Sequence, residues 1–411
     1  MSGNGLPPRE QREAIVVGAR CAGSTLALAL ARRGCDVLLI DRDTFPSETT
    51  STHLIFPNTL ARFEQLGVLD RLRAAHQVPL LESRIVGFGH RCTGPFTPVD
   101  GFDRAAAPRR SALDKAIFDT ALAAGAQGRF GERVVDLIGS GTTEDPVRGV
   151  VLESGERIGA RWVFGADGRG STVAGRLGIE KTRPDAGEMA FLFAYWRGLP
   201  DDGYATTEIR PDAIVNRWAV EDGLHLLSAA GPPEFTRGSK EVRMRRYLER
   251  LRDFPETIEP EVLEGAEMVS DLLVAPESLM RGFFRTPAGP GWALVGDACH
   301  FKHPATAQGI ADAIEQGLHV ADGVSGNDPL LAGYAEWRDR RAREHYEWSF
   351  VWGRFPRAKS EGYFHGWATE ADAGQDLRDS FSRLVEPSVV MSKERLSRWF
   401  EAPGARPAAA R

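Results

Sequence analysis

Cysteine is scarce in this chain: four residues in 411, Cys21, Cys35, Cys92 and Cys299, with no C-x-x-C pair among them. That spacing offers neither a disulfide framework nor a zinc-type cluster, so no metal is expected and a reducing cytoplasm suits the chain. Basic runs and a basic tail are also missing, and the formal net charge is −6. Nucleic acid and anionic membrane surfaces are therefore poor partners, and a small molecule is the better one. Long apolar runs are absent as well. The opening MSGNGLPPREQRE lacks the apolar core of a signal peptide, and LALALA is far too short to span a bilayer. No internal repeat or low-complexity block occurs. With 42% hydrophobic and 26% charged residues, the composition is that of a globular protein of one large or two medium domains.

What is present begins with EAIVVGA, an unbroken apolar run ending in glycine, followed by GSTLALALARRG and CDVLLIDRD. These predict a buried parallel strand, a helix capped by Gly34 and a second buried strand, a βαβ unit within the first 43 residues. A long loop is expected from Thr44, then helices over NTLARFEQLGVLDRL and over 108–126. RVVDLIG and GVVLESGERIGARWVFGADG are strand-rich, whereas 187–285 alternates apolar and polar residues and carries many aromatics. GWALVGDACH returns to a buried strand and turn, and from about Leu330 the chain reads as helical.

Three glycine-acid signals punctuate this pattern. In VVGARCAGS, Gly18 permits a tight turn out of the strand and Gly23 lets the helix pack close. Asp41 lies at the end of the second strand, where a carboxylate can accept from ribose hydroxyls. The middle glycine of the usual G-x-G-x-x-G is replaced by Arg20. FGADGRGS and LVGDACH repeat the theme, each presenting an aspartate, Asp167 and Asp297, at the carboxyl end of an apolar strand. Any one of them alone reads as a turn.

Taken together, GARCAG, Asp41-Arg42, Arg110 to Leu113, GADGRGSTV and GDACHFKHPATAQGI resemble the FAD-dependent monooxygenases of the para-hydroxybenzoate hydroxylase fold, with their relatives the flavin-dependent halogenases and the geranylgeranyl reductases. The resemblance spans roughly residues 12–350 in motif order. It implies an α/β architecture: a Rossmann-like FAD-binding domain, an inserted mixed β-sheet substrate domain and a helical C-terminus. The implied division gives 12–80, 108–186 and 286–330 to the FAD-binding domain and 81–107 and 187–285 to the substrate domain. A helical region over 331–402 and a disordered tail over 403–411 complete it.

Carried over by residue, the resemblance implies that Gly18, Ala22 and Gly23 face the FAD pyrophosphate, that Asp41 holds the adenosine ribose and that Arg42 lies beside the adenine. Arg110 would reach the phosphate or ribityl region, and the Val134 backbone would flank the adenine. Asp167 would serve both FAD and the reducing nicotinamide, and Gly296-Asp297 the ribityl chain. Pro304 through Ile310 would pass along the flavin ring, with backbone N–H groups near Gly309 and Ile310 facing the charge of the reduced ring. Arg20 would project toward the flavin cavity or the nicotinamide's approach. The implied reaction is NAD(P)H reduction of FAD followed by oxygen transfer from O₂, through a C4a-hydroperoxide, to a small aromatic or polyketide-like substrate.

Two departures bear on the reaction. Ala307 stands where many members have glycine and Ala311 where they have asparagine, and TAQGIADAIEQG leans toward the reductases. Reduction of an isoprenoid or polyene double bond is thus the alternative. Halogenation is disfavoured by the lack of a W-x-W-x-I-P stretch, and a non-catalytic flavin-fold escort protein is the reading from outside enzymes. His53 and His303 are candidate catalytic groups along with Arg20, although each histidine also reads as a loop residue, and His300 reads as structural. Phe191, Phe193, Tyr195, Trp196 and Trp218 read either as sheet core or as an apolar pocket, with Phe193, Tyr195 and Trp218 the substrate candidates.

Overall fold

The computed structural model describes residues 10–45, 51, 53–326, 331–357 and 360–401. The expected disordered tail over 403–411 and part of the loop after Thr44 lie outside the described residues. Strand β1 (Glu10–Val17), helix α1 (Cys21–Ala31) and strand β2 (Val37–Asp41) form the expected βαβ unit, with both strands parallel. α1 is buried from Cys21 through Leu30, sandwiched between the sheet and the helices Arg110–Ala123 and Gly309–Ser325, which is why its sequence is apolar all round.

Five parallel strands make the centre of the first sheet, in the order Trp292–Leu294, Arg157–Gly165, β1, β2 and Gln127–Phe130. Val17, Gly165 and Leu294 stand in register across it, and Ile40 is opposite Val17. The three glycine-acid turns therefore emerge side by side at one sheet edge, the carboxyl ends of the strands, where open α/β sheets bind ligands.

The second sheet is mixed. Its antiparallel strands Ala190–Arg197, Leu224–Gly231, Ala213–Ala219 and Tyr204–Arg210 continue through one parallel pairing into Glu82–Gly87 and on to His90–Gly94. That parallel pairing joins chain segments far apart in sequence into one roof. One face packs on the helix Lys240–Arg252 through Leu192, Ala194, Trp196 and Val215. Trp196 thus lies on the outer face, its indole donating to Tyr247 Oη at 2.9 Å, while Phe191 and Phe193 face inward.

Helices Tyr334–Trp352, Glu361–Thr369 and Ala371–Phe381 close the inner face. An aromatic cluster of Trp348, Trp352, Trp367 and Phe381 fills the space between them. Asp379 ties this cap to the roof by accepting from the Thr97 N–H at 2.8 Å and its hydroxyl at 2.6 Å. Among the described residues no helix is long and apolar enough to cross a membrane.

Candidate active site

The sheet edge opens into a cleft of about 1040 Å³. Gly18 leaves β1 at φ +103, a conformation open to glycine and costly for other residues. A Cβ on Gly23 would sit 1.7 Å from the Gly18 carbonyl oxygen, so α1 can approach the turn only because that position is glycine. Arg20 adopts φ −85, which any residue tolerates, and this removes the need for the missing glycine. Its guanidinium reaches Asp43 at 3.2 Å and Asp114 at 3.5 Å across the cleft mouth. Asp41 holds the loop in place: Oδ2 accepts from the Ala19 N–H at 2.6 Å and Oδ1 from the Asp43 N–H at 2.9 Å.

Gly18, Arg20, Ala22, Asp41, Arg42, Arg110 and Val134 all line this cleft, as do Asp167, Asp297, Pro304, Gly309, Ile310, His53 and His303. Gly23 and Gly296 do not line it; they allow close packing behind it, Gly296 against the Ala22 side chain. Arg110 is clamped bidentately on buried Asp114 at 3.0 and 2.9 Å.

Several features fit a flavin dinucleotide. The first residues of α1 and of the helix Gly309–Ser325 both face the cleft, offering unbonded N–H groups and positive dipole ends to anionic groups. Asp167 uses Oδ2 to accept from the Thr172 and Val173 N–H groups, whereas its buried Oδ1 has no partner. Burial raises the Asp167 and Asp297 carboxyls above their ordinary range, so hydroxyl donors from a ligand would relieve both.

His53 and His303 are neutral for a shared reason. Burial, with Arg110 and Arg109 nearby, pushes His53 down to about 3; its Nε2 lies 3.3 Å from the Tyr195 hydroxyl. Burial also takes His303 to about 3, with its ring held between Gly187 and Gly353, where a Cβ would collide, and its Nδ1 accepting from the Ala305 N–H at 3.2 Å. His300 is structural in geometry: Gln316 amide nitrogen lies 2.9 Å from its Nδ1. Ala307 takes the left-handed φ of +51, a conformation that favours glycine, the residue the family resemblance implies at this place.

A charge cluster at the start of the helix Gly309–Ser325 is not evident from the sequence. Lys302 and Asp312 both line the cleft and pair at 2.7 Å, and Arg383, from the C-terminal cap, binds the other Asp312 oxygen. Burial raises the Asp312 carboxyl, but Arg383 and Lys302 outweigh it and hold the group well below the carboxylate range. Burial and Arg383 bring Lys302 down to about 8, against the pull of Asp312. Gln308 links the cluster to the cap, accepting from Lys302 at 3.3 Å and donating to the Ser380 carbonyl at 2.8 Å. The only sequence hint is a lysine set between two histidines, in HFKH.

Beyond Leu54, Met280, Pro304 and Ala307, which line both spaces, the cleft adjoins a second cavity of about 140 Å³ under the mixed sheet. Phe193 and Trp218 line it, together with Phe191, Ile214, Trp352 and Phe381. Tyr195 is on the same sheet face but sits beside the cavity, its ring edge-on to His53 at 5.8 Å. No charged side chain is in its wall among the described residues.

Residues 11–222, more than half of the chain, match the family model described as "FAD binding domain". A menaquinone reductase of Mycolicibacterium smegmatis is 26% identical over 82% of this chain and 82% of its own length. A 6-methylpretetramide 4-monooxygenase of Streptomyces rimosus is 28% identical over 81% and 79%. Among solved structures, a flavoprotein/dehydrogenase from Cytophaga hutchinsonii superposes with a TM-score of 0.76 at 18% identity, covering 93% of this chain and 96% of that one. The 2-methyl-3-hydroxypyridine-5-carboxylic acid oxygenase gives 0.67 at 22%, covering 83% and 91%. The chain belongs to the FAD-binding domain family and is an FAD-dependent oxidoreductase with the para-hydroxybenzoate hydroxylase fold.

Proposed function

We propose that the protein is an NAD(P)H-dependent monooxygenase that hydroxylates or epoxidises a small apolar organic molecule, aromatic or polyketide-like. The observation that carries this reading is the uncharged cavity opening onto the cofactor cleft at Pro304 and Ala307. The bound flavin would supply the redox chemistry, relaying a hydride's electrons from nicotinamide to O₂, with one oxygen atom going to substrate and the other to water.

The chain's own residues hold and shield that chemistry. Segments 12–80, 108–186 and 286–330 supply the cofactor side, and 81–107 with 187–285 the roof over the substrate. The N–H groups at Gly309 and Ile310, with the helix dipole behind them, would stabilise negative charge on the reduced cofactor. Asp297 would accept from hydroxyls of the ribityl chain and Asp41 from the ribose, while Asp167 would serve both FAD and the approaching nicotinamide. The aromatic walls exclude water from the reacting atoms. His53, neutral at physiological pH, acts by hydrogen bonding with Tyr195 and contributes no charge. The similarity to a 6-methylpretetramide 4-monooxygenase supports this reading.

A second reading, reduction of a carbon-carbon double bond, is favoured by the menaquinone reductase that matches over a similar span. One experiment separates the two. Reduced holoenzyme is mixed with candidate substrates under ¹⁸O₂, and product is analysed by mass spectrometry. Product carrying one ¹⁸O, with NAD(P)H and O₂ consumed in equal amounts, supports the monooxygenase. Product two hydrogens heavier, formed equally well without O₂, overturns it in favour of the reductase.

A further inference from the structure

The uncharged cavity has a polar row across its sheet. Thr207, Asn216 and Ser228 stand opposite one another on three neighbouring antiparallel strands, and Phe193 follows on the fourth. Directly paired residues project from the same face of a sheet. Thr207, Asn216 and Phe193 line the cavity, which fixes that face as the inner one. Trp218, two residues along from Asn216, lines it too.

These groups are not satisfied by each other. The Thr207 hydroxyl donates to Asn216 Oδ1 at 2.9 Å, which orients the amide and leaves its NH₂ without an acceptor among the described residues. Ser228 Oγ is fully buried and unpartnered, and so is the Trp218 indole N–H. Buried polar groups left unpaired are rare in native interiors, and each one costs stability unless a ligand or water completes it. An indole and an amide NH₂ can only donate, so the missing partner is an acceptor.

The wall adds a second condition. With no charged side chain to pair it, an ionised carboxylate, phenolate or ammonium would lose its hydration without compensation. The volume, about 140 Å³, is close to that of an engineered apolar cavity that takes up benzene. Resting on the reading of this cavity as the substrate site, we propose that it receives a neutral apolar molecule bearing a carbonyl oxygen, a ketone or quinone ring. The carbonyl accepts from the Asn216 amide, seconded by the Trp218 indole, while Phe193 and Phe191 flank the ring.

The test needs no turnover. FAD-loaded protein is titrated by calorimetry with acetophenone, ethylbenzene and benzoate, which share a ring and differ in acceptor and charge. Acetophenone is expected to bind at least tenfold tighter than benzoate. In Asn216→Leu the ratio of acetophenone to ethylbenzene affinity should fall about fivefold, the weight of one net hydrogen bond. Trp218→Phe, which keeps the ring and removes the N–H, should lower the same ratio by a smaller factor and serves if Asn216→Leu does not fold. Benzoate binding as tightly as acetophenone, a ratio unmoved in both variants, or no binding of any probe overturns the proposal. If the expected selectivity holds but no ligand is ever oxygenated, the monooxygenase reading fails and the carbonyl site stands. If oxygenation occurs without the selectivity, the reverse follows.

Discussion

The cofactor cleft and the cavity beside it share Pro304 and Ala307 but are built by opposite means. The cleft forms where parallel strands end, and its walls carry carboxylates, guanidinium groups and two helix starts. The cavity forms under one face of a sheet, closed by aromatic rings from the C-terminal cap, with no charge in its wall. A cofactor rich in phosphates and hydroxyls is held by backbone dipoles that exist at every strand-to-helix turn. An apolar substrate is held by surface that differs from ordinary core only in being incompletely filled. The contrast can be pushed hardest where the cleft's charges are themselves buried.

Asp312 is the shared counterion of Lys302 and Arg383, all three almost fully enclosed. Asp312→Asn would take the nearest counterion from both buried cations, leaving, among the described residues, only Glu315, 3.8 Å from Arg383. Removing one partner from a buried ion pair costs about 3–5 kcal/mol, and a clear drop in the denaturation midpoint is expected. A midpoint within error of wild type would mean that water enters this end of the cleft and that it is not, in this respect, interior.

A smaller effect comes from pH. Lys302 titrates at about 8 in the folded chain and near 10.5 when unfolded. Between those values the unfolded chain binds the extra proton, so this group's contribution to stability rises with pH and its full burial penalty is present below pH 8. Comparing wild type with Lys302→Met by urea unfolding from pH 7 to 10, the difference should shift toward wild type by on the order of 2–3 kcal/mol. A difference that stays flat with pH would show that the lysine keeps its ordinary protonation.

The same contrast explains what could be read beforehand. Gly18 and Gly23 were legible because backbone geometry admits almost nothing else there, and Asp41, Asp167 and Asp297 because each ends a strand whose apolar run is local in sequence. The alternation of Phe191, Phe193 and Tyr195 gave their common sheet face, but not which of them borders empty space. That depends on Trp352 and Phe381, which arrive from more than 150 residues away. Asn216 carried no signal in the sequence, since its meaning lies in Thr207 and Ser228 across two strand pairings. Lys302 carries no signal within its motif because its setting depends on Asp312, ten residues on, and on Arg383, which reaches the same carboxylate from another part of the chain.

The smallest structural effect is expected at Arg20, which stands where the dinucleotide motif has glycine. Its pairs with Asp43 and Asp114 are long and part-exposed, and Asp114 retains its bidentate clamp from Arg110. Exposed ion pairs are worth about 1 kcal/mol at most, and glycine is well tolerated at the start of a helix, where Arg20 sits. Arg20→Gly should therefore keep its fold and its FAD. A cation at the cleft mouth does more for the arrival of an anionic dinucleotide than for what is already bound. Reduction by NAD(P)H, followed by stopped-flow bleaching of the flavin, should slow several-fold and lose part of its salt dependence. Loss of FAD with unaltered reduction of the remaining holoenzyme would move Arg20 from the approach path into the cofactor's own binding site.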